Sequence, residues 1–325
     1  DITLYNVYPK VDYDHPISFS KLILPDAKTH KEERDREIAG IRVDNGRVVS
    51  AEKMTITMTE QDWFVFNDFY NYGDEETDTP DYTIHKLRIY KRGYLPVEFY
   101  KSILELYRRK TVLKDVEGEE INYMISKNML NAAYGMIVTD IVRDVLEYDY
   151  DNSEYIDKHK PDLEESINTY NKSKKRFLFY PWGVWVTAYA RRNLFSGIMA
   201  CGNDYIYSDT DSIKILNPED HMEYIEAYNN NVQAKVMIVA KHYQIDPAEF
   251  APKNKKGEPK PIGIWEYEGK YKRFKTLGAK RYMVQKQNGK YALTVAGVNK
   301  KRACKYLEEN WEDPFDGFKH DLRVP

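Results

Sequence analysis

Cysteine is almost missing: the 325 residues hold two, Cys201 and Cys304. Two are too few for a disulfide framework or a cysteine zinc site, and a reducing cytoplasm is the expected setting. Long apolar runs are missing as well. The longest fall far short of a membrane span, and no basic, apolar, small-residue leader opens the chain, which argues against membrane insertion and secretion. The seven histidines lack the paired spacing of a metal site, so each reads as a surface or packing residue. Strong net charge is absent too, with 49 Lys and Arg against 52 Asp and Glu, a balance of −3. What is present is length for two or three domains, with 42% apolar and 31% charged residues, the composition of a folded protein. The first residue is Asp rather than Met, which points to a chain that begins inside a longer one.

The near-neutral average hides two opposed blocks. Residues 140–165 hold ten acidic and three basic side chains, while residues 253–281 hold ten basic and three acidic, a net +7. A basic stripe of that density suits a phosphate backbone. Its first half, Lys253 to Lys260, reads equally as a solvated lysine-rich loop. In the second half Tyr267, Tyr271, Phe274 and Tyr282 are interleaved with the charges, as a groove that holds a nucleic-acid strand would want.

The stretch with the most chemistry is Tyr205 to Leu216. It reads as strand, turn and strand, with alternation through Ser212-Ile213-Lys214-Ile215. Asp209 and Asp211 lie two residues apart, which in extended backbone puts both side chains on one side of the sheet. Two like charges about 4 Å apart repel by about 4 kcal/mol at an effective dielectric near 20. Either one Asp is protonated or a cation sits between them. All-oxygen ligands favour magnesium or manganese over zinc. Alone, the stretch also fits an Asp-rich surface hairpin whose side chains cap the turn.

The pattern predicts strands at Ile2 to Val7, Ile17 to Leu24, Ile38 to Val43, Arg47 to Ser50 and Met54 to Met58, with Asn45-Gly46 as a hairpin turn. A helix from Glu60 to Tyr70 follows, with Thr59 as N-cap. Asp74 to Asp81 reads as a loop and Thr83 to Lys91 as a strand. Pro96 opens a helix to about Arg109, and after a turn at Asp115 to Gly118 a second helix runs from Glu119 to about Met136. On this second helix, at 100° per residue, Tyr123, Lys127, Asn131 and Tyr134 fall within about 80°. Ile121, Ile125, Met129, Ala132 and Met136 line the opposite side, expected to be core. A lysine in that polar stripe can neutralise a polyphosphate, and an Asn and a Tyr can meet a sugar and a base. An ordinary solvated face fits the stripe equally. Asp140 to Arg176 reads as an insertion and Phe177 to Tyr180 as a strand. Helices are expected at Trp182 to Met199, Glu219 to Lys241 and Lys300 to Asn310, and strands at Ile262 to Tyr267, Phe274 to Val284 and Tyr291 to Val295. In the first of these helices Val186, Tyr189, Ala190, Leu194 and Ile198 recur at helical spacing. No closing element is evident at the end of the chain.

Four segments together resemble the family B DNA polymerases of bacteriophages, most nearly the protein-primed branch. Ser126-Lys127-Asn128-Met129-Leu130-Asn131-Ala132-Ala133-Tyr134-Gly135 is similar to the fingers motif, Lys then Asn-Ser-x-Tyr-Gly, with Ala132 in place of Ser. Tyr207-Ser208-Asp209-Thr210-Asp211-Ser212 matches the palm motif Tyr-x-Asp-Thr-Asp-Ser at every fixed position. Lys280-Arg281-Tyr282 matches Lys-x-Tyr, and Gly183 to Arg191 resembles the helix before the palm hairpin. The order agrees, over roughly residues 97–298.

The resemblance implies an α+β right hand. A palm-associated β-rich region would span 1–96, a fingers helical hairpin 97–136, an acidic insertion for strand displacement 137–180, the palm with its metal hairpin and Lys-x-Tyr strand 181–290, and the start of a thumb 291–325. It also implies that Asp211, with Asp209 beside it, holds two magnesium or manganese ions. Lys127 would hold the incoming deoxynucleoside triphosphate, with Lys110 and Lys114 within reach of its phosphates, and Asn131 and Tyr134 would shape the nucleotide pocket. Lys280, Tyr282 and Tyr207 would stabilise the primer terminus, and Thr187 and Arg191 would meet the template. The implied partners are a DNA primer-template, deoxynucleotides and a terminal priming protein, in the cytoplasm of a host cell. The family's third carboxylate, in an Asp-x-x-Ser-Leu-Tyr-Pro motif, has no match. Asp1-Ile2-Thr3-Leu4-Tyr5 lacks the Ser and the Pro, and the motif is expected upstream. Asp35-Arg36-Glu37 makes a poor exonuclease site. Reverse transcriptases and RNA polymerases, which share the metal chemistry, commonly carry adjacent Asp residues where Thr210 intervenes here. A non-catalytic, polymerase-like nucleic-acid binder is the competing class.

Overall fold

The computed structural model describes residues 1–74, 76–77, 79–91, 93–144, 146–156, 160–174 and 176–323. Parts of the acidic loop at 74–81 and of the acidic insertion, and the last two residues of the expected thumb segment, lie outside the described residues. The elements run β1 Ile2–Pro9, α1 Lys31–Ala39, β2 Ile41–Asp44, β3 Arg47–Ile56, α2 Glu60–Phe69, β4 Tyr70–Asn71, β5 Tyr82–Ile84, α3 Val97–Leu113, α4 Glu120–Ile137, β6 Tyr148–Asp149, β7 Glu154–Tyr155, α5 Leu163–Lys172 and α6 Tyr180–Cys201. They continue with β8 Tyr205–Asp209, β9 Ser212–Ile215, α7 Met222–Tyr243, β10 Tyr271–Thr276, β11 Arg281–Lys286, β12 Tyr291–Val295, α8 Lys300–Asn310 and α9 Pro314–Gly317. Strand pairings among the described residues are antiparallel, and the fold class is α+β. No helix among them is long and apolar enough to cross a membrane.

The chain forms two compact units, residues 1–193 with 233–262 and residues 194–232 with 263–325. The cuts fall inside α6 and α7, and the basic block of 253–281 is divided between the units.

The first unit is built on a sheet of order β2-β3-β1-β4, with β5 also pairing β1. Asn45 and Gly46 both have positive φ, +46° and +76°, as the expected two-residue hairpin turn requires. Leu4 and Val7 of β1 and Val48 and Met54 of β3 are buried, as are Phe66 and Phe69 of α2 and Tyr70 of β4. Thr59 caps α2 in a reciprocal box with Asp62. One predicted strand is absent here, and the one expected at Ile38 to Val43 begins three residues later, as β2. Ile17 to Leu24 becomes a 3₁₀ turn at Phe19–Lys21 flanked by single bridges at Ser18 and Leu22, and Ile38 belongs to the end of α1. Arg47 to Ser50 and Met54 to Met58 merge into the one strand β3, and the strand expected through Lys91 stops at Ile84. Tyr180 opens α6, so Phe177 to Tyr180 is not a strand.

Helices α3 and α4 form the expected hairpin, but the face of α4 expected to be core is exposed. Ile121 is 76% exposed, and Ile125, Met129 and Met136 are each about half exposed, while Tyr123, Ser126, Lys127, Leu130, Ala133 and Ile137 are the less exposed stripe. Periodicity locates two faces of a helix but does not say which one a neighbour covers. On α6 likewise, Val186, Tyr189 and Ala190 are exposed, whereas Ala188, Phe195 and Ile198 are buried.

In the second unit β10, β11 and β12 form a meander. Met283 and Leu293 pack with Ala303 and Leu307 of α8 and with Phe315 and Phe318. The last two lie in and just after α9, a closing element that the sequence pattern did not reveal because a single turn has no period to read. Ile262 to Tyr267 is not a strand either. Asn229 of α7 does what a neighbouring strand would do, accepting from the Trp265 N–H at 2.8 Å and donating to the Trp265 carbonyl at 3.0 Å.

Candidate active site

Strands β8 and β9 pair from Tyr205 with Ile215 to Asp209 with Ser212, leaving Thr210-Asp211 as a two-residue turn. The Asp211 N–H donates to the Asp209 carbonyl at 2.6 Å, so Thr210 is the centre of a three-residue turn, at φ +58°. A β-branched residue there is strained by about 1–2 kcal/mol. Strand alternation therefore does not set the geometry of the two carboxylates, as the sequence suggested it would. Asp209 ends a strand, and Asp211 sits on the crown of the turn. The base of the hairpin is closed by Asp204, whose carbonyl accepts from the Leu216 N–H at 2.8 Å. The Asp204 carboxylate meets His221 Nε2 at 2.9 Å and Asn217 Nδ2 at 3.1 Å.

Lys280 arrives from 71 residues beyond Asp209 in the chain. It is not in a strand, as expected, but in the tight turn between β10 and β11, at φ +55°. Its backbone N–H donates to the Tyr207 hydroxyl at 2.9 Å and its ammonium to Asp209 Oδ1 at 2.6 Å. Tyr207 and Asp209, two apart on one strand, thus hold the backbone and the head of the same lysine. The Tyr207 ring is buried against Phe274 and Tyr282, with centroids at 5.6 and 5.2 Å, and Phe274 and Tyr282 stack on each other at 5.4 Å. Two of the aromatics interleaved with the basic block are therefore the floor under this turn.

Thr210 Oγ1 also donates to Asp209 Oδ1, at 2.9 Å. The Lys280 ammonium, opposed by partial burial and helped by the Thr210 hydroxyl, holds the Asp209 carboxyl below the usual carboxylate range. The same pair pushes the Lys280 ammonium up. The cation that neighbouring carboxylates call for is here a lysine of the chain itself. Asp211 is exposed, and its carboxylate has no hydrogen-bond or ion-pair partner among the described residues. Among those residues no three His, Cys, Asp or Glu side chains gather so as to hold a metal ion. The donor set at the hairpin is all oxygen, which fits a hard cation, with two carboxylates to offer it.

Asp209 and Lys280 open onto a cavity of about 480 Å³ whose other wall is the loop Thr294 to Lys300 at the start of α8. The sequence reading passed over that loop. Its signal was the run Asn299-Lys300-Lys301-Arg302, three cations in the first turn of a helix, where the helix dipole disfavours them.

Family models and curated proteins give no match to this chain. It is similar to one solved DNA polymerase. That structure is Phi29 DNA polymerase complexed with primer-template DNA, in the post-translocation binary complex, at 18% identity and a TM-score of 0.46. The likeness covers 98% of this chain and 46% of the polymerase chain, so the chain spans under half of the length of that protein. At 0.46 the likeness is loose and carries no weight by itself.

The other predicted site residues belong to the first unit. Lys127 lies over the Tyr123 ring at 6.0 Å and Lys110 over the Tyr107 ring at 5.3 Å. Asn131, Tyr134 and Lys114 are exposed. Thr187 Oγ1 turns back to the Gly183 and Val184 carbonyls at 3.1 and 2.9 Å. The Arg191 guanidinium is taken by Asp62, with Nε at 2.7 Å and Nη2 at 3.1 Å. In Asp1 to Tyr5, which only partly imitates the third-carboxylate motif, Asp1 Oδ1 accepts from Thr57 Oγ1 at 2.6 Å. Glu37 of the Asp35-Arg36-Glu37 run lies in α1 and pairs with Lys53.

Proposed function

We propose that the chain is the nucleotidyl-transfer portion of a template-directed DNA polymerase, with fingers at 97–136, an insertion at 137–180, a palm at 181–290 and the start of a thumb at 291–325. The observation that carries this is the convergence of Asp209 and Lys280, 71 residues apart, at 2.6 Å, on a strained two-Asp hairpin whose Tyr207 fixes the lysine's backbone. A surface hairpin that only caps its own turn needs none of this.

In this reading a primer 3′ hydroxyl, or a protein hydroxyl at initiation, attacks the α-phosphate of a deoxynucleotide in line, and pyrophosphate leaves. Asp209 and Asp211 would hold magnesium or manganese, which lowers the hydroxyl's pKa and offsets charge on the phosphates. Lys127, with Lys110 and Lys114, neutralises the triphosphate, while Asn131 and Tyr134 shape the nucleotide pocket. Lys280, Tyr282 and Tyr207 would support the primer end, and Thr187 and Arg191 would meet the template.

A specific observation favours a second reading, a non-catalytic binder of primer-template DNA. The hairpin gathers two carboxylates, and one oxygen of Asp209 is already taken by an ammonium. The test is primer extension and primer-template affinity with and without magnesium and the matched nucleotide, in the wild type and in Asp211→Asn. A polymerase extends the primer, however slowly, and loses that activity in Asp211→Asn. Binding that ignores metal, nucleotide and the substitution establishes the second reading instead.

A further inference from the structure

We infer that Lys280 is a resident counter-ion that a divalent metal must displace from Asp209, so that metal entry and release of the lysine are one exchange. The inference rests on the proposed metal site and adds an element that the site's donor set does not contain. Three features of the structure support it. The ammonium and Thr210 Oγ1 converge on the same oxygen, Oδ1, at 2.6 and 2.9 Å, so a cation binding both oxygens of Asp209 meets an occupied position. The lysine's backbone is pinned by Tyr207 at 2.9 Å, which leaves the side chain as the part that moves. The side chain is 59% exposed against 25% for Asp209, and it borders the cavity beside Lys300, so the ammonium has open space to enter. Released there, it stands next to the first turn of α8 and is free to meet an anionic group such as a phosphate.

The sign of the effect separates this role from simple positioning. A lysine that orients Asp209 for a metal helps binding, whereas one that competes for the carboxylate opposes it. Manganese binding to the whole chain, followed by electron paramagnetic resonance of the free ion, reads the difference without any turnover. Lys280→Met is expected to bind manganese about fivefold more tightly than the wild type, the scale of a partly exposed ion pair. Lys280→Arg, which keeps the charge, is expected to stay within about twofold of the wild type. Circular dichroism of each variant confirms that the fold is kept. Equal or weaker manganese binding in folded Lys280→Met overturns the inference. If the wild type and Lys280→Met both bind manganese no better than Asp211→Asn, the metal site itself is wrong and the proposed catalytic function falls with it.

Discussion

Asp62 allows the sharpest energetic prediction in the first unit. Its carboxylate receives the Thr59 N–H at 3.1 Å, the Thr59 hydroxyl at 2.9 Å, and Arg191 Nε and Nη2 at 2.7 and 3.1 Å. One side chain thus closes the capping box of α2 and fastens α2 to α6. Asp62 is 15% exposed and Arg191 44%, so the pair is screened on one side only. Burial pushes the Asp62 carboxyl up, but Arg191 and Thr59 outweigh it, and its pKa lies below the usual value. Losing the cap costs about 1 kcal/mol. The two-point arginine bond, discounted for the solvated guanidinium, adds about 1 kcal/mol. Asp62→Ala should therefore destabilise the unit by about 2 kcal/mol. Asp62→Asn, which can still accept from Thr59, should cost about 1 kcal/mol, and a cycle with Arg191→Met should show a coupling near 1 kcal/mol. Hydrogen exchange of the α2 amides measures these values locally. The pH dependence has a definite sign. A carboxyl whose folded pKa is depressed contributes stability that is complete above its unfolded pKa of about 4 and is lost as pH falls through the lower folded value. The coupling should be full at pH 7 and should fade below about pH 4. Additive substitutions at pH 7, or a coupling that does not fade in acid, would refute the reasoning.

Tyr207→Phe removes the acceptor of the Lys280 N–H and should destabilise the second unit by about 1–2 kcal/mol, read as faster exchange at the β10–β11 turn. Leu307→Ala empties a fully buried position among Met283, Ala303 and Phe315, so a loss of about 2–4 kcal/mol is expected in urea unfolding. Gly183 has no room for a side chain, since a Cβ there would lie 2.0 Å from Val138 Cγ1. Gly183→Ala should therefore lower the melting temperature, and Val138→Ala should restore part of the loss.

Much of the outline was legible in the residues because its causes are local. Asn45-Gly46 forces a hairpin, Thr59 caps α2 within four residues, Pro96 precedes α3, and alternation marks β9. The failures turn on contacts between segments, or on an element too short to show a pattern. Asn229 stands in for the strand that Trp265 was expected to join, and α9 is too short to show a period. On α4 the hydrophobic pattern was read as burial, yet Ile121 and Met129 face solvent, because which face is covered depends on where α3 lies.

At the hairpin the division is clear. The sequence by itself determined the chemistry available: two carboxylates around Thr210, a tyrosine two residues before the first, and a Lys-x-Tyr run some seventy residues later. The tertiary structure decided how they are used. It bent the backbone at Thr210 so that Asp211 leaves the strand, brought Lys280 onto Asp209 and left Asp211 open. Charge and residue type are properties of single positions and can be read in order. Which cation answers which carboxylate depends on distances between segments far apart in the chain, and only folding sets those.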